Sequence, residues 1–249
     1  MSWRTWLDAS PAARIALALM RDATGRDAVS EPLRPARPSA LTRQRGVAFW
    51  SLNAGVGVST LAALVAHRSA SAGCAPALVD LDRRVPTLAL RARCGGATVA
   101  DALLRPGSEA GLLSRWGEIP FLPGTPELHR SFDGPRIAEL VDRLRRAGAA
   151  VLDLGNGAEA LDVDVLGAID RLCWVVGPAV AQLQAAFCAV PLLERYGVRV
   201  AVAVVGATPD DAARIAARLP WPLVAAIPRD PLLAGDEFAA RTPTLRAID

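Results

Sequence analysis

Several short apolar segments recur along the chain, each bounded by Gly, Pro or charged residues. Most are separated by patterns typical of helices of about 10–15 residues. Buried strands that alternate with helices form a parallel sheet covered on both faces. The sequence therefore predicts an α/β fold with a three-layer, doubly wound, mainly parallel sheet. The main predicted strands are 46–52, 75–81, 118–124, 149–155, 171–177, 198–206 and 222–228, and the main helices are 59–73, 135–148 and 181–197.

The composition suits one large core. The chain has 249 residues, of which 52% are hydrophobic and 21% charged, enough to bury a single sizeable domain. No apolar run reaches the ~18 residues that span a bilayer, and the first residues lack a signal-peptide cleavage pattern. The four cysteines show no C-x-x-C spacing and only two histidines occur, so neither disulfides nor a metal cluster are predicted. We expect a cytoplasmic protein.

The charge distribution divides the chain into three predicted parts. Residues 1–46 contain eight Arg and four acidic residues, whereas residues 47–249 contain 20 Arg and 21 acidic residues. Residues 24–45 are rich in Pro and Arg, which indicates a linker. We predict an N-terminal helical segment at 1–23, this linker, and a domain at 46–249. Trp3 and Trp6 leave two interpretations of the first segment open: a short helix docked on the domain, or an interfacial anchor that contacts a membrane.

A glycine-containing loop, "SLNAGVGVST" (51–60), joins the first predicted strand to the first predicted helix. A P-loop reads G-x-x-x-x-G-K-[ST], and Gly57 and Ser59 match its last part, with Val58 at the lysine position. Backbone N–H groups at a helix N-terminus bind anions, and glycines allow a phosphate to approach closely. The predicted phosphate cradle is Gly55, Val56, Gly57, Val58, Ser59 and Thr60. A tight turn with no ligand is the alternative.

Acidic residues end two of the predicted strands. Asp80 and Asp82 end the second strand, and Asp153 ends the strand at 149–155. In P-loop proteins such acids hold Mg²⁺ or orient the attacking water. A single Asp at a strand end can equally cap a helix. Three in this order behind a glycine loop favour a nucleotide site.

Residues 46–93 and 149–159 resemble the MinD/ParA group of deviant Walker A ATPases, whose loop reads G-K-G-G-V-G-K-[ST]-T, and the similarity continues less clearly to about residue 240. The resemblance implies a P-loop NTPase fold with ATP and Mg²⁺ as ligands. The segment "AAIPRDPLL" (225–233) resembles the family's late I-P-x-D segment, whose loop packs beside the base.

The resemblance also implies roles for individual residues. Ser59, Asp80 and Asp153 would surround Mg²⁺, with Asp153 as the Walker B acid, and Thr60 would contact the α-phosphate. Asp82 would lie near the hydrolytic water, so Asp82 and Asp153 would be the catalytic residues if the protein is active.

The departures from the family pattern fall on the charged and polar contacts to ATP. Asn53 replaces the signature lysine that reaches the partner's phosphates, and Val58 replaces the P-loop lysine. Gly206 ends a strand where an Asn commonly reads adenine, and Leu52 and Ala54 replace glycines. We expect Val58 to face an emptied phosphate site.

These losses weaken the expected ligand binding. Each charge-assisted contact contributes about 1.5–3 kcal/mol, so losing both lysines weakens binding by roughly two to four orders of magnitude. All 28 basic residues are Arg, so general replacement of Lys by Arg would have left Arg at position 58. We expect weak or absent ATP and Mg²⁺ binding and still weaker hydrolysis, as in a pseudo-ATPase.

The expected function is a localisation or assembly scaffold for pilus, septum or secretion machinery, similar to the CpaE/TadZ branch. That branch usually carries a receiver-like domain ahead of the ATPase domain, whereas only about 45 residues precede it here. The expected partners are proteins of a cell-envelope or division machine and a second copy of the chain in a homodimer, with peripheral membrane contact through the N-terminal segment.

Two alternatives remain open. One is an ATPase that is active on its own or activated by a partner, and that borrows a charge from an Arg of the stretch 82–93, such as Arg83 or Arg84. The other is ParA-like DNA segregation. Non-specific DNA binding needs clustered positive charge, and residues 47–249 have one more acidic than basic residue, so nucleic acid is not an expected partner.

Overall fold

The computed structural model describes residues 45–126, 133–234 and 242–248. In this part of the chain, strands form one sheet in the order β3-β4-β2-β5-β1-β6-β7-β8. All neighbouring strands are parallel except β3 and β4, so the predicted α/β class and doubly wound sheet are confirmed. The strands are β1 Gly46–Ser51, β2 Ala77–Asp80, β3 Ser114–Trp116, β4 Ile119–Leu122, β5 Ala150–Asn156, β6 Arg171–Val176, β7 Val200–Val205 and β8 Leu223–Ile227.

The three long helices were predicted from periodicity, whereas the short helices and the edge strand β3 were not. A helix of one or two turns shows too few apolar repeats for its period to be recognised. The helices are α1 Val58–Ser71, α2 Leu88–Ala92, α3 Val99–Leu104, α4 Glu109–Leu112, α5 Gly134–Ala147, α6 Val163–Gly167, α7 Val180–Glu194, α8 Pro209–Ala216 and α9 Thr242–Ile248, with 3₁₀ turns at Ala158–Ala160 and Pro231–Ala234.

Two hydrophobic layers cover the two faces of the sheet. All of β1 is buried, because side chains alternate between faces along a strand and both faces are covered. Phe49 packs in the layer of α1. Trp50 packs in the opposite layer with α5 and α7, and its indole N–H donates to the carbonyl of Gly157 at 2.8 Å. This bond fixes the ends of β1 and β5 beside the loop that follows β1.

The strand order places the acidic residues and the glycine loop at one edge of the sheet. β1 lies between β5 and β6, and ligands of open α/β sheets bind outside the carboxyl ends of the strands where the strand order reverses. Asp80 and Asp153 are direct neighbours in the parallel pairing of β2 with β5.

Two predictions fall outside the described residues. The N-terminal helical segment 1–23 and all but the last residue of the linker 24–45 lie there. Among the helices that the structure describes, none combines the length and the apolar composition needed to cross a membrane.

Candidate functional site

The loop between β1 and α1 contains two glycines in the left-handed conformation that anion-binding loops at helix N-termini use. Gly55 and Gly57 have φ of +76° and +97°, and Gly57 is the N-cap of α1 with no side chain capping the helix. A Cβ atom at Gly55 would have no neighbour within 4 Å, and one at Gly57 would have Val205 at 3.9 Å. These glycines are therefore needed for backbone conformation, and they leave the first-turn N–H groups of α1 uncapped by side chains.

The side chain of Val58 is buried beneath α1 and is not exposed at this loop. Its side chain is 6% exposed and belongs to the hydrophobic layer of α1. The prediction that Val58 faces an emptied phosphate site is therefore wrong for the side chain, because a valine at the first position of α1 gains more by packing into the core. Its backbone remains at the helix N-terminus.

Asn53, at the position of the signature lysine, is bonded within its own chain. Its Nδ2 donates to the carbonyl oxygen of Ala181, in the first turn of α7, at 3.1 Å. The family motif has a lysine at each of these two positions. In this chain, Val58 packs in the core and Asn53 is hydrogen-bonded to α7.

Asp153 is almost fully enclosed, with 1% of its surface exposed. Its Oδ1 accepts from the N–H of Gly155 at 2.9 Å, while Oδ2 is buried and has no hydrogen-bond partner among the described residues. Burial raises the pKa of Asp153 to about 6. The nearby Ser59 hydroxyl and the Gly155 N–H lower this pKa, the charge of Asp82 raises it further, and the charge of Arg91 lowers it. A buried carboxylate with an unsatisfied oxygen is suited to a cation.

Asp80 and Asp82 organise the loop that follows β2. The two oxygens of Asp80 accept from the N–H groups of Asp82 at 3.1 Å and Leu88 at 3.2 Å. Asp82 Oδ1 accepts from the N–H groups of Arg84 at 2.8 Å and Val85 at 3.1 Å. Burial, and secondarily the charge of Asp153, raise the pKa of Asp80 well above its usual value. Asp80 therefore acts as a helix cap, the alternative role for an Asp at a strand end, because its carboxylate accepts from the first N–H of α2.

The acids fit a magnesium ion that arrives with a phosphate better than a metal held by protein alone. No group of three or more His, Cys, Asp or Glu side chains in the described residues is arranged to hold a metal. Mg²⁺, however, usually takes only one or two protein oxygens and completes its shell with waters and substrate phosphates. The Ser59 hydroxyl and Asp153 Oδ2 fit that role, and the uncapped first turn of α1 fits a phosphate.

Among the described residues, Arg91 brings a positive charge to the first turn of α1. Arg91, at the end of α2, donates from Nη1 to Thr60 Oγ1 at 2.7 Å and from Nη2 to the carbonyl oxygen of Leu233 at 3.0 Å. Sequence reasoning named Arg83 and Arg84 of the same stretch, but Arg83 lies 4.0 Å from Asp162 and Arg84 lies 3.1 Å from Glu159. Arg91 was missed because nothing local in the sequence indicates a contact across 31 positions.

Several solved structures that share this architecture are ParA family ATPases or MinD proteins. The chain is similar to a ParA family ATPase from Chlorobium tepidum, with a TM-score of 0.71 and 20% identity over 82% of this chain and 97% of that one. It is similar to the septum site-determining protein MinD of Pyrococcus horikoshii, solved with Mg-ADP, with a TM-score of 0.66 and 17% identity over 81% and 91% of the two chains. A third similar structure is MinD of Aquifex aeolicus in complex with MinC, with a TM-score of 0.65 and 18% identity over 82% and 92%.

The chain has the P-loop fold of the ParA and MinD ATPases, at an identity that establishes the fold alone. No protein-family model matches it, and no curated protein matches it by sequence.

Proposed function

We propose that this protein is a degenerate relative of the MinD/ParA ATPases, acting as a localisation or assembly scaffold with weak or no ATP hydrolysis. The observation that carries the proposal is that the residues at both family lysine positions are uncharged and contact other parts of this chain. Val58 packs in the core and Asn53 bonds to Ala181, so neither position supplies a charge to a phosphate.

The missing charges affect hydrolysis more than binding. Catalysis of phosphoryl transfer depends on stabilising the negative charge of the transition state, and the P-loop lysine is one source of that stabilisation. The backbone cradle and the three acids can still hold a nucleotide with its magnesium ion. A site of this kind retains a nucleotide weakly and turns it over slowly or not at all.

Protein partners are the second part of the proposal. MinD of Aquifex aeolicus was solved with the protein MinC, which supports a partner from a division or cell-envelope machine for this chain. The composition of α7 agrees, since residues 180–193 contain no charged residue and yet Val180 and Phe187 are 84% and 55% exposed. Exposed apolar surface is typical of proteins that bind other proteins. The same proposal includes a role similar to that of the CpaE/TadZ branch and a homodimer. It also includes a cytoplasmic location with peripheral membrane contact through residues 1–23.

Asp82→Asn tests the scaffold in cells. Asn keeps an oxygen for the N–H groups of Arg84 and Val85 and removes the charge that a hydrolytic site needs. We expect a fluorescent fusion of the variant, expressed from the native locus, to keep the position and abundance of the unmodified fusion. Asp164→Asn, at an exposed residue of α6, is the charge-matched control. Delocalisation of a folded Asp82→Asn protein with a normal control would contradict the proposal.

A second candidate function is an ATP-dependent positioning protein of the same type, activated by a partner. The contact between Arg91 and Thr60 favours this candidate, because it brings a positive charge to the helix that bears the phosphate cradle.

A further inference from the structure

Arg91 joins three elements that are distant in sequence. It lies in the last turn of α2, and its guanidinium bonds the Thr60 hydroxyl in the first turn of α1 and the Leu233 carbonyl in the 3₁₀ turn Pro231–Ala234. Arg91 and Thr60 are both half-buried, so this charge is held in a defined place beside the glycine loop.

We propose that Arg91 is the phosphate-binding cation of the site, and that it takes over from another helix the charge that Val58 does not provide. An anion bound by the uncapped N–H groups at the start of α1 lies beside Thr60, and therefore beside the guanidinium that bonds Thr60. Arg presents five N–H donors in a planar fork that matches the oxygens of a phosphate. The inference rests on the proposed nucleotide site and adds to it the residue that recognises the phosphate.

The surrounding acids identify the class of anion. Asp80, Asp82 and Asp153 lie at the same edge of the sheet and are 0%, 5% and 1% exposed. A bare phosphate would be repelled by these groups, because charges interact strongly where water is excluded. A magnesium ion carried by the phosphate removes that repulsion and gives Asp153 Oδ2 the partner that it lacks among the described residues. The ligand class is therefore a magnesium-bound nucleoside diphosphate or triphosphate.

The test compares Mg-ADP with adenosine, which has the same base and sugar but no phosphate. Both are titrated by calorimetry into the full-length protein and into Arg91→Gln, Arg91→Lys and Arg93→Gln. Arg93 is exposed and also lies at the end of α2, so its variant makes the same charge change outside the site. The melting temperature of each variant without nucleotide verifies the fold.

We expect Arg91→Gln to weaken Mg-ADP binding by about tenfold or more, which is the loss of one charge-assisted contact, and to leave adenosine binding unchanged. Arg91→Lys should lose less, because it keeps the charge without the fork, and Arg93→Gln should bind as the parent protein does. If Arg91→Gln does not fold, Arg91→Lys is compared with Arg93→Gln instead. Weaker Mg-ADP binding by Arg91→Lys than by Arg93→Gln would then support the inference.

Equal Mg-ADP affinity in the parent protein and in the folded Arg91 variants would overturn the inference. Absence of any preference for Mg-ADP over adenosine in the parent protein would also overturn it, while leaving the scaffold function intact. Tight Mg-ADP binding that depends on Arg91 would support the inference and contradict the weak nucleotide binding of the scaffold proposal, so the two can fail separately.

Discussion

Asp153→Asn is expected to raise the melting temperature by roughly 5–10 °C at pH 7.5 in EDTA. Burial is the main reason that the pKa of Asp153 is raised from 3.8 to about 6. At 1.36 kcal/mol per pKa unit, holding this carboxylate ionised costs the fold about 2–3 kcal/mol. Asn keeps an oxygen for the N–H of Gly155 and removes the buried charge. The melting temperature of a domain of this size rises by about 2–4 °C for each kcal/mol of added stability.

The pH dependence of this effect has a defined sign. A raised pKa means that between pH 3.8 and about 6 the folded protein holds a proton that the unfolded chain releases. The contribution of Asp153 to stability is therefore complete below pH 3.8 and is lost as the pH rises through about 6. Asp153→Asn should therefore be more stable than the parent protein above pH 6, and this difference in stability should disappear towards pH 4.

Melting curves at several pH values, with Asp164→Asn as the exposed control, measure this difference. An Asp153→Asn variant that is no more stable than the parent protein at pH 7.5 would show that Asp153 is not held as an unfavourable buried charge.

Gly155→Ala is expected to destabilise the fold much more than Gly197→Ala. Both glycines have positive φ, +68° and +61°, so both substitutions carry the backbone cost of about 1 kcal/mol. A Cβ atom at Gly155 would also lie 2.4 Å from the carboxyl carbon of Asp82, whereas one at Gly197 would have no neighbour within 4 Å. Moving the buried Asp82 loop adds about 2 kcal/mol or more.

Urea unfolding of the two variants measures the difference directly. Gly197→Ala should lose about 1 kcal/mol and Gly155→Ala about 3 kcal/mol or more. Equal losses would mean that Asp82 does not lie against Gly155, and the close approach of the β2 and β5 ends would then be wrong.

The sheet could be predicted from sequence because its signals are local. Each buried strand is a mostly apolar run, and each long helix shows its own period, so the main elements lie within three residues of their predicted bounds. The positions of Asp80 and Asp153 at one edge also follow, since parallel strands carry their carboxyl ends to the same side.

The contacts that give the site its character could not be predicted in this way. Arg91 meets Thr60 across 31 positions and Asn53 meets Ala181 across 128, and both depend on how short elements pack. The direction of the Val58 side chain was also misjudged. A loop pattern fixes the backbone of residues 55–60, but whether position 58 packs inward depends on the core beneath α1.

Calorimetric titration of Mg-ATP into the purified full-length protein tests the degenerate ATPase most directly. With Val58 in the core and Asn53 bonded to α7, we expect no binding tighter than roughly 100 µM, because both lysine contacts to the phosphates are lost and Arg91 would replace only one of them. A dissociation constant in the low micromolar range would contradict the scaffold proposal and assign the protein to the ATP-switched positioning proteins.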